Sequence, residues 1–153
     1  MYTDHTLIIN ELERSIKFNN WNSILSFLPK GSYLVGGYIR DIILGIATEK
    51  VDVDIVVPLN AIEIGKKIAE NIGSKIIMLD KKREVVRIIF NNISIDIANQ
   101  VSSTIEGDLS SRDFSINSIA FLFEKKCLVD PLNGLKDLEI SLLSTHSEKK
   151  FNK

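Results

Sequence analysis

Residues 33–57, YLVGGYIRDIILGIATEKVDVDIVV, contain two apolar runs separated by a glycine pair and a segment whose apolar residues follow helical spacing. This order predicts a strand, a tight turn, a short helix over residues 38–44, a polar connector and a second strand over Val51–Val57. The glycine pair, Gly36 and Gly37, allows a backbone turn with no side chain in the way.

The second strand carries two acids, Asp52 and Asp54. Side chains alternate between the faces of a strand, so these two carboxylates project side by side on one face. Aspartate is depleted in strands, and two of them inside an apolar run point to a ligand. A divalent cation fits best, and the glycine turn that opens a helix offers an adjacent place for phosphate groups.

A third acid, Asp96, lies in a later strand-like run. Residues 75–79, 84–90 and 93–98 each predict a strand, and Asn91-Asn92 predicts a two-residue hairpin between the last two. Asp96 is either an edge-strand acid that faces water or a third carboxylate that strand pairing brings beside Asp52 and Asp54.

Four motifs together resemble those of a known family: Gly36-Gly37-Tyr38-Ile39-Arg40-Asp41, Asp52-Val53-Asp54, Arg112-Asp113-Phe114-Ser115-Ile116-Asn117 and Asp130-Pro131-Leu132-Asn133-Gly134-Leu135-Lys136-Asp137-Leu138. From Tyr33 onward the chain is similar to the catalytic head of class II tRNA nucleotidyltransferases and bacterial poly(A) polymerases. Each motif alone is weak, but their order and spacing make a strong signal. The resemblance implies an α+β fold, the nucleotidyltransferase fold of the DNA polymerase beta superfamily, with a mostly antiparallel mixed sheet of about five strands and helices packed against it.

The resemblance also implies the chemistry. It favours Asp96 as a third acid beside Asp52 and Asp54, the three forming the catalytic, metal-binding set for two Mg²⁺ ions. The expected reaction is in-line attack of an RNA 3′-hydroxyl on the α-phosphate of ATP or CTP, with pyrophosphate leaving.

Nucleotide-binding residues follow from the same motifs. The resemblance assigns that role to Gly36, Gly37, Arg40, Arg112 and Asp113. Asn117 is expected near the incoming sugar, and Asp41 is expected to pair with a neighbouring cation. The chain has Asn99, Gln100 and Ser111 where many relatives have arginines.

Composition sets broad limits on function. The 153 residues are 44% hydrophobic and 25% charged, which is typical of one globular domain. The net charge of -1 does not by itself indicate a nucleic-acid binder. The single Cys127 cannot form an internal disulfide, so we expect a cytoplasmic protein. Acids interrupt the apolar residues near the N-terminus, which argues against a signal peptide and a membrane span.

The expected organisation has three parts. Residues 1–30 form a helical segment packed on the head, with one helix or two short ones over residues 6–28 and Trp21 as a core anchor. Residues 31–146 form the head, and residues 147–153 begin a neck domain that lies downstream. We expect tRNA or another RNA 3′ end to be held mainly by domains beyond this chain.

Two other functions remain open at this stage. One is a small-molecule or protein nucleotidyltransferase of the same superfamily, although those usually carry a Gly-Ser turn. The other is a nucleotide-binding module without turnover, which the intact pair of Asp52 and Asp54 disfavours. Nothing in the sequence separates CCA, CC, A or poly(A) addition.

Overall fold

The structure, a computed structural model, describes residues 4–140. The helices are α1 (His5–Phe18), α2 (Asn22–Leu25), α3 (Gly37–Leu44), α4 (Ala61–Ile72), α5 (Ile105–Ser110) and α6 (Gly134–Glu139), with a 3-10 helix at Ser115–Asn117. The strands are β1 (Tyr33–Val35), β2 (Val51–Val57), β3 (Ile76–Asp80), β4 (Val85–Phe90), β5 (Ile93–Asn99), β6 (Ala120–Leu122) and β7 (Cys127–Val129).

All these strands join one mixed sheet in the order β3-β4-β5-β2-β1-β6-β7. Only the β2–β5 pairing is parallel, and the other pairings in the described chain are antiparallel. The expected α+β class and mostly antiparallel sheet are therefore confirmed. The sheet has seven strands rather than about five, because β6 and β7 extend it beyond β1.

One face of the sheet is covered by helices. Val53, Ile55 and Val57 of β2 point into a core that α1, α2, α3 and α4 share. Each such side chain contributes about 1.5–3 kcal/mol when fully buried. The charged residues of β2 lie on the opposite face, so this core fixes the direction in which Asp52 and Asp54 project.

The N-terminal segment packs on this core. It forms two helices, and the break between them falls at Asn19 and Asn20, where Asn20 has a φ of 56°. Trp21 is 1% exposed, and its ring centroid lies 5.4 Å from that of Tyr38 in α3. The interpretation of Trp21 as a core anchor is confirmed.

The other face is covered only at one end by described helices. Ile105 and Leu109 of α5 pack over Val35, Val56 and Ala120, at the β1, β2 and β6 end of the sheet. Asp52 is exposed and Asp54 is half-buried. The acidic part of β2 therefore lies beside a helix-covered patch but remains accessible.

A side chain from β5 binds the start of α4. Asn60 is the N-cap residue, but it has a φ of 64° and its side chain makes no capping hydrogen bond. The N–H of Ala61 instead donates to Asn99 Oδ1 at 2.9 Å, and Asn99 Nδ2 donates to Glu84 at 2.8 Å. Asn99 thus connects the end of β5 to α4.

The expected tail at residues 147–153 lies outside the described residues, as does the chain from residue 141 onward. Within residues 4–140, no helix combines the length and apolar character needed to cross a bilayer.

Candidate active site

Strand register brings the three predicted acids onto one face. In the parallel β2–β5 pair, Asp54 lies directly opposite Asp96, and Asp52 lies opposite Ser94. Paired strands are about 4.8 Å apart, so the carboxylates of Asp54 and Asp96 are immediate neighbours. The placement expected for Asp96 is what the structure shows, whereas its role as a metal ligand stays a prediction.

Asp54 lies in an environment that disfavours its negative charge. Burial raises the pKa of Asp54, the nearby Arg112 guanidinium lowers it, and the charges of Asp96 and Asp52 raise it again, with a net increase. A bound cation relieves the cost of holding a carboxylate with a raised pKa in its charged form. A cation bound by Asp52 and Asp54 would therefore stabilise the charged form of Asp54.

Asp96 already has a cation. Arg87 of β4 lies opposite Asp96 in the antiparallel β4–β5 pair. Its Nε donates to Asp96 Oδ1 at 2.7 Å, and its Nη2 donates to Oδ2 at 2.9 Å, so the ion pair is bidentate. Side-chain exposure is 39% for Arg87 and 22% for Asp96.

The donor set suits a metal that arrives with its substrate. Among residues 4–140, no group of three or more His, Cys, Asp and Glu side chains is placed to hold a metal ion on its own. Mg²⁺ is commonly bound through one or two carboxylates together with substrate phosphates and water. Asp52 and Asp54, side by side and without a basic partner at hydrogen-bond distance in the described chain, meet that requirement.

The glycine turn lies against Asp54. Gly36 has φ 82° and ψ -149°, which is open to glycine but strained for other residues. A Cβ on Gly36 would lie 3.1 Å from Asp54 Oδ2 and 3.6 Å from an Arg112 Nη atom. The absence of a side chain at Gly36 keeps this approach to the acids open.

The turn requires positive φ at Gly36 rather than at Gly37. Among the described residues, Gly37 is not one of the glycines with positive φ. A Cβ on Gly37 would lie 3.1 Å from an Arg40 Nη atom, and that is the flexible end of a side chain. Substitution of Gly37 therefore displaces Arg40 and does not strain the turn.

Arg40 is held in a fixed orientation. Its guanidinium donates from Nε to Asp41 Oδ1 at 2.9 Å and from Nη1 to Asn117 Oδ1 at 2.8 Å. The pairing expected of Asp41 is present, and Asn117, from the Arg112 motif, closes the arrangement. Asp41 and Asn117 thus connect α3 to the 3-10 helix through the arginine.

Arg112 occupies the side of Asp54 that faces the turn. Its Nη2 lies 3.6 Å from Asp108 Oδ2, and its Nε is buried without a hydrogen-bond partner among the described residues. Asp113, next in sequence, is exposed. The Arg112 side chain is 27% exposed, so part of it remains accessible to a ligand beside the acids.

Two residues of this site were not predicted from the sequence. Asp108 is 3% exposed, accepts from the Val101 N–H at 2.9 Å and holds Arg112 from one turn earlier. The spacing of Asp108 and Arg112, four residues apart in a helical segment, is a signal that could reveal the pair. The position of Arg87 could be derived from the Asn91-Asn92 hairpin, because a two-residue turn there sets residue 87 opposite residue 96.

A cavity of about 410 Å³ opens between α3, the connector before β2 and the acids. Gly37, Arg40, Lys50, Asp52 and Asp54 contribute to its wall. Cations, a helix start and two carboxylates therefore surround one space.

The sequence of this head matches a known family model, the poly(A) polymerase head domain, over residues 32–144. The chain belongs to the poly(A) polymerase head-domain family. The match begins just before β1 and includes all four motifs identified in the sequence.

Relatives of this head-domain family include tRNA nucleotidyltransferases. The CC-adding tRNA nucleotidyltransferase of Synechocystis sp. is 41% identical over 115 residues, 75% of this chain and 28% of that protein. The A-adding enzyme of Deinococcus radiodurans is 35% identical over 120 residues, 78% of this chain and 26% of that protein. A solved CCA-adding enzyme in complex with CTP has a TM-score of 0.76 at 28% identity, covering 94% of this chain and 37% of that one.

The chain thus spans between 26% and 37% of the length of these relatives. The likeness therefore concerns the head domain.

Proposed function

We propose that this chain is the catalytic head of a template-independent RNA nucleotidyltransferase. It transfers AMP or CMP from ATP or CTP to the 3′-hydroxyl of an RNA, with tRNA as the favoured class, and pyrophosphate leaves. The observation that carries the proposal is the pair Asp52 and Asp54, which lies against the Gly36 turn and the Arg112 guanidinium. The CC-adding, A-adding and CCA-adding relatives support the same chemistry.

Asp52 and Asp54 are the proposed ligands of two Mg²⁺ ions. When bound, the metal supplies Lewis-acid activation of the attacking hydroxyl and charge neutralisation on the triphosphate. The rigid β2 strand holds both carboxylates on one face, so no side-chain search is needed when the substrate arrives. The raised pKa of Asp54 means that a cation removes an existing electrostatic cost there.

The triphosphate is proposed to lie over the turn. Backbone N–H groups at the start of α3 and the positive end of that helix attract phosphate oxygens. Arg112, whose side chain is 27% exposed, adds a guanidinium charge beside Asp54 and the turn. Arg40, fixed by Asp41 and Asn117, adds a second positive charge at the cavity wall.

None of the groups named above recognises the base. The groups assigned above contact phosphate and metal, which every nucleoside triphosphate shares, so they do not distinguish one base from another. We therefore propose that selection between ATP and CTP, and most of the hold on RNA, depend on further domains. The cytoplasm is the proposed location of this activity.

Calorimetry with this chain tests the proposal. ATP and CTP should bind in the presence of Mg²⁺ and should bind far more weakly in EDTA. Asp54→Asn should remove the Mg²⁺-dependent part while the fold is retained. Asp80→Asn, which changes a partly exposed acid at the end of β3, is the matched control and should leave binding unchanged.

Equal nucleotide binding by Asp54→Asn and the unsubstituted chain would refute the proposed function. Circular dichroism on the same samples shows that each variant is folded.

A further inference from the structure

Arg87 is a cation with spare donors next to the acids. A guanidinium has five N–H groups. The two bonds to Asp96 use one on Nε and one on Nη2, and the described structure records no partner for Nη1. The bidentate hydrogen bond to Asp96, together with the charge of that carboxylate, also raises the pKa of Arg87, so it stays protonated.

Arg87 and Arg112 lie on opposite sides of Asp54. In the sheet order, β1 flanks β2 on one side and β5, then β4, flank it on the other. The Gly36 turn and Arg112 belong to the β1 side, since Val35 pairs with Asp54. Arg87 belongs to the β5 and β4 side, because Asp96 separates it from Asp54.

The in-line geometry of the reaction places the triphosphate on one side of Asp54 and the RNA on the other. In phosphoryl transfer the attacking and leaving oxygens are in line through the phosphorus. If the triphosphate lies over the Gly36 turn, as proposed above, the attacking hydroxyl approaches from the β5 side. The RNA 3′ end then passes over Arg87.

We propose that Arg87 binds the phosphodiester of the 3′-terminal nucleotide of the RNA and that Asp96 is the positioning residue that orients it. This inference rests on the proposed function, and it adds an RNA contact to a head with little overall positive charge. The bidentate ion pair fixes the plane of the guanidinium, so Nη1 and the second Nη2 N–H are pre-organised for a phosphate.

The surface around Arg87 suits such a strand. Ile77, which pairs with Arg87 on β3, and Ile89, two residues along β4, share its face and are each 46% exposed. The described helix on this face, α5, packs at the other end of the sheet. A ribose or base therefore has an apolar surface on both sides of the arginine.

A pair of dinucleotides tests the contact directly. The probes are CpC and its analogue with an uncharged methylphosphonate linkage, titrated by NMR into this chain with Mg²⁺ and a non-hydrolysable ATP analogue. The unsubstituted chain should bind CpC about tenfold more tightly than the methylphosphonate, since the charged phosphate oxygen is lost. Arg87→Met should reduce this ratio to about one, and Asp96→Asn should reduce it partly, with each ratio measured at a concentration of the ATP analogue that saturates that variant.

Arg83→Met is the matched control. It removes the same charge from an 82% exposed side chain in the β3–β4 turn, and the ratio should stay near its original value. An unchanged ratio in Arg87→Met, or no measurable CpC binding by the unsubstituted chain, would overturn the inference.

The two proposals fail differently. If the unsubstituted chain does not bind the ATP analogue with Mg²⁺, the proposed function fails. If the ATP analogue binds but the ratio does not depend on Arg87, only the RNA contact fails.

Discussion

Replacement of Gly36 by alanine combines backbone strain with crowding of the acids. Gly36 has φ 82° and ψ -149°, and the added Cβ would lie 3.1 Å from Asp54 Oδ2. Such a contact is tight, so the carboxylate has to move by a few tenths of an ångström. We therefore expect Gly36→Ala to lose both stability and nucleotide affinity.

The two losses can be estimated. A non-glycine residue in this backbone region costs about 1–3 kcal/mol, and the loss of unfolded-state freedom returns about 0.4–1 kcal/mol. The net cost of about 1–2 kcal/mol corresponds to a Tm decrease of about 2–8 °C for a chain of this size. A 1 Å misplacement at a site costs about 100-fold, so a shift of about 0.3–0.5 Å predicts about a four- to tenfold loss of affinity.

Gly45→Ala is the control. Gly45 ends α3 with φ 66° and ψ 26°, and no heavy atom of the described chain lies within 4 Å of the position that a Cβ on this residue would take. It should therefore lose about 1–2 kcal/mol of stability without a change in nucleotide affinity. Thermal unfolding and calorimetry with Mg²⁺ and ATP measure both quantities. Equal affinities for folded Gly36→Ala and Gly45→Ala would refute the reasoning.

Three further predictions concern charge and selectivity. Because the raised pKa of Asp54 makes its charged form unfavourable in the folded state, Asp54→Asn should increase the free energy of unfolding at neutral pH without metal. That gain should shrink as the pH falls from the raised pKa of folded Asp54 toward 3.8, the ordinary value for the unfolded chain. Urea titrations across this range measure the gain, and a gain that does not change with pH would show that the pKa of Asp54 is not raised. Asp108→Asn should cost about 1–3 kcal/mol and weaken triphosphate binding, since buried Asp108 accepts from Val101 and holds Arg112; unchanged urea stability would contradict this. ATP and CTP should bind this chain with similar affinity in calorimetry, and a strong preference for one base would place selectivity in the head.

Local patterns predicted most of the fold. The turn at Asn91-Asn92 and the burial of Trp21 both follow from local residue chemistry. The capping of α4 by Asn99 could not be predicted in this way, because the two positions are 38 residues apart. Strands β6 and β7 have three residues each, so their place in the sheet beside β1 depends on tertiary pairing and not on an alternating pattern.

In the active site, too, local patterns predict some features and tertiary contacts determine the others. Alternation along β2 places Asp52 and Asp54 on one face, and the motifs indicate Gly36, Arg40 and Arg112. The parallel pairing of β2 with β5 is a tertiary property, so local patterns alone left two interpretations of Asp96 open. Its ion pair with Arg87 depends on the β4–β5 register, which the two-residue hairpin at Asn91-Asn92 sets.

Counting bound Mn²⁺ by electron paramagnetic resonance tests the central claim most directly, because Mn²⁺ can replace Mg²⁺ in such sites. The claim is that Asp52 and Asp54 hold metal together with the triphosphate. The chain alone should bind little Mn²⁺, and addition of a non-hydrolysable CTP analogue should produce binding that Asp54→Asn abolishes and Asp80→Asn retains. Mn²⁺ binding by Asp54→Asn equal to that of the unsubstituted chain would contradict the account.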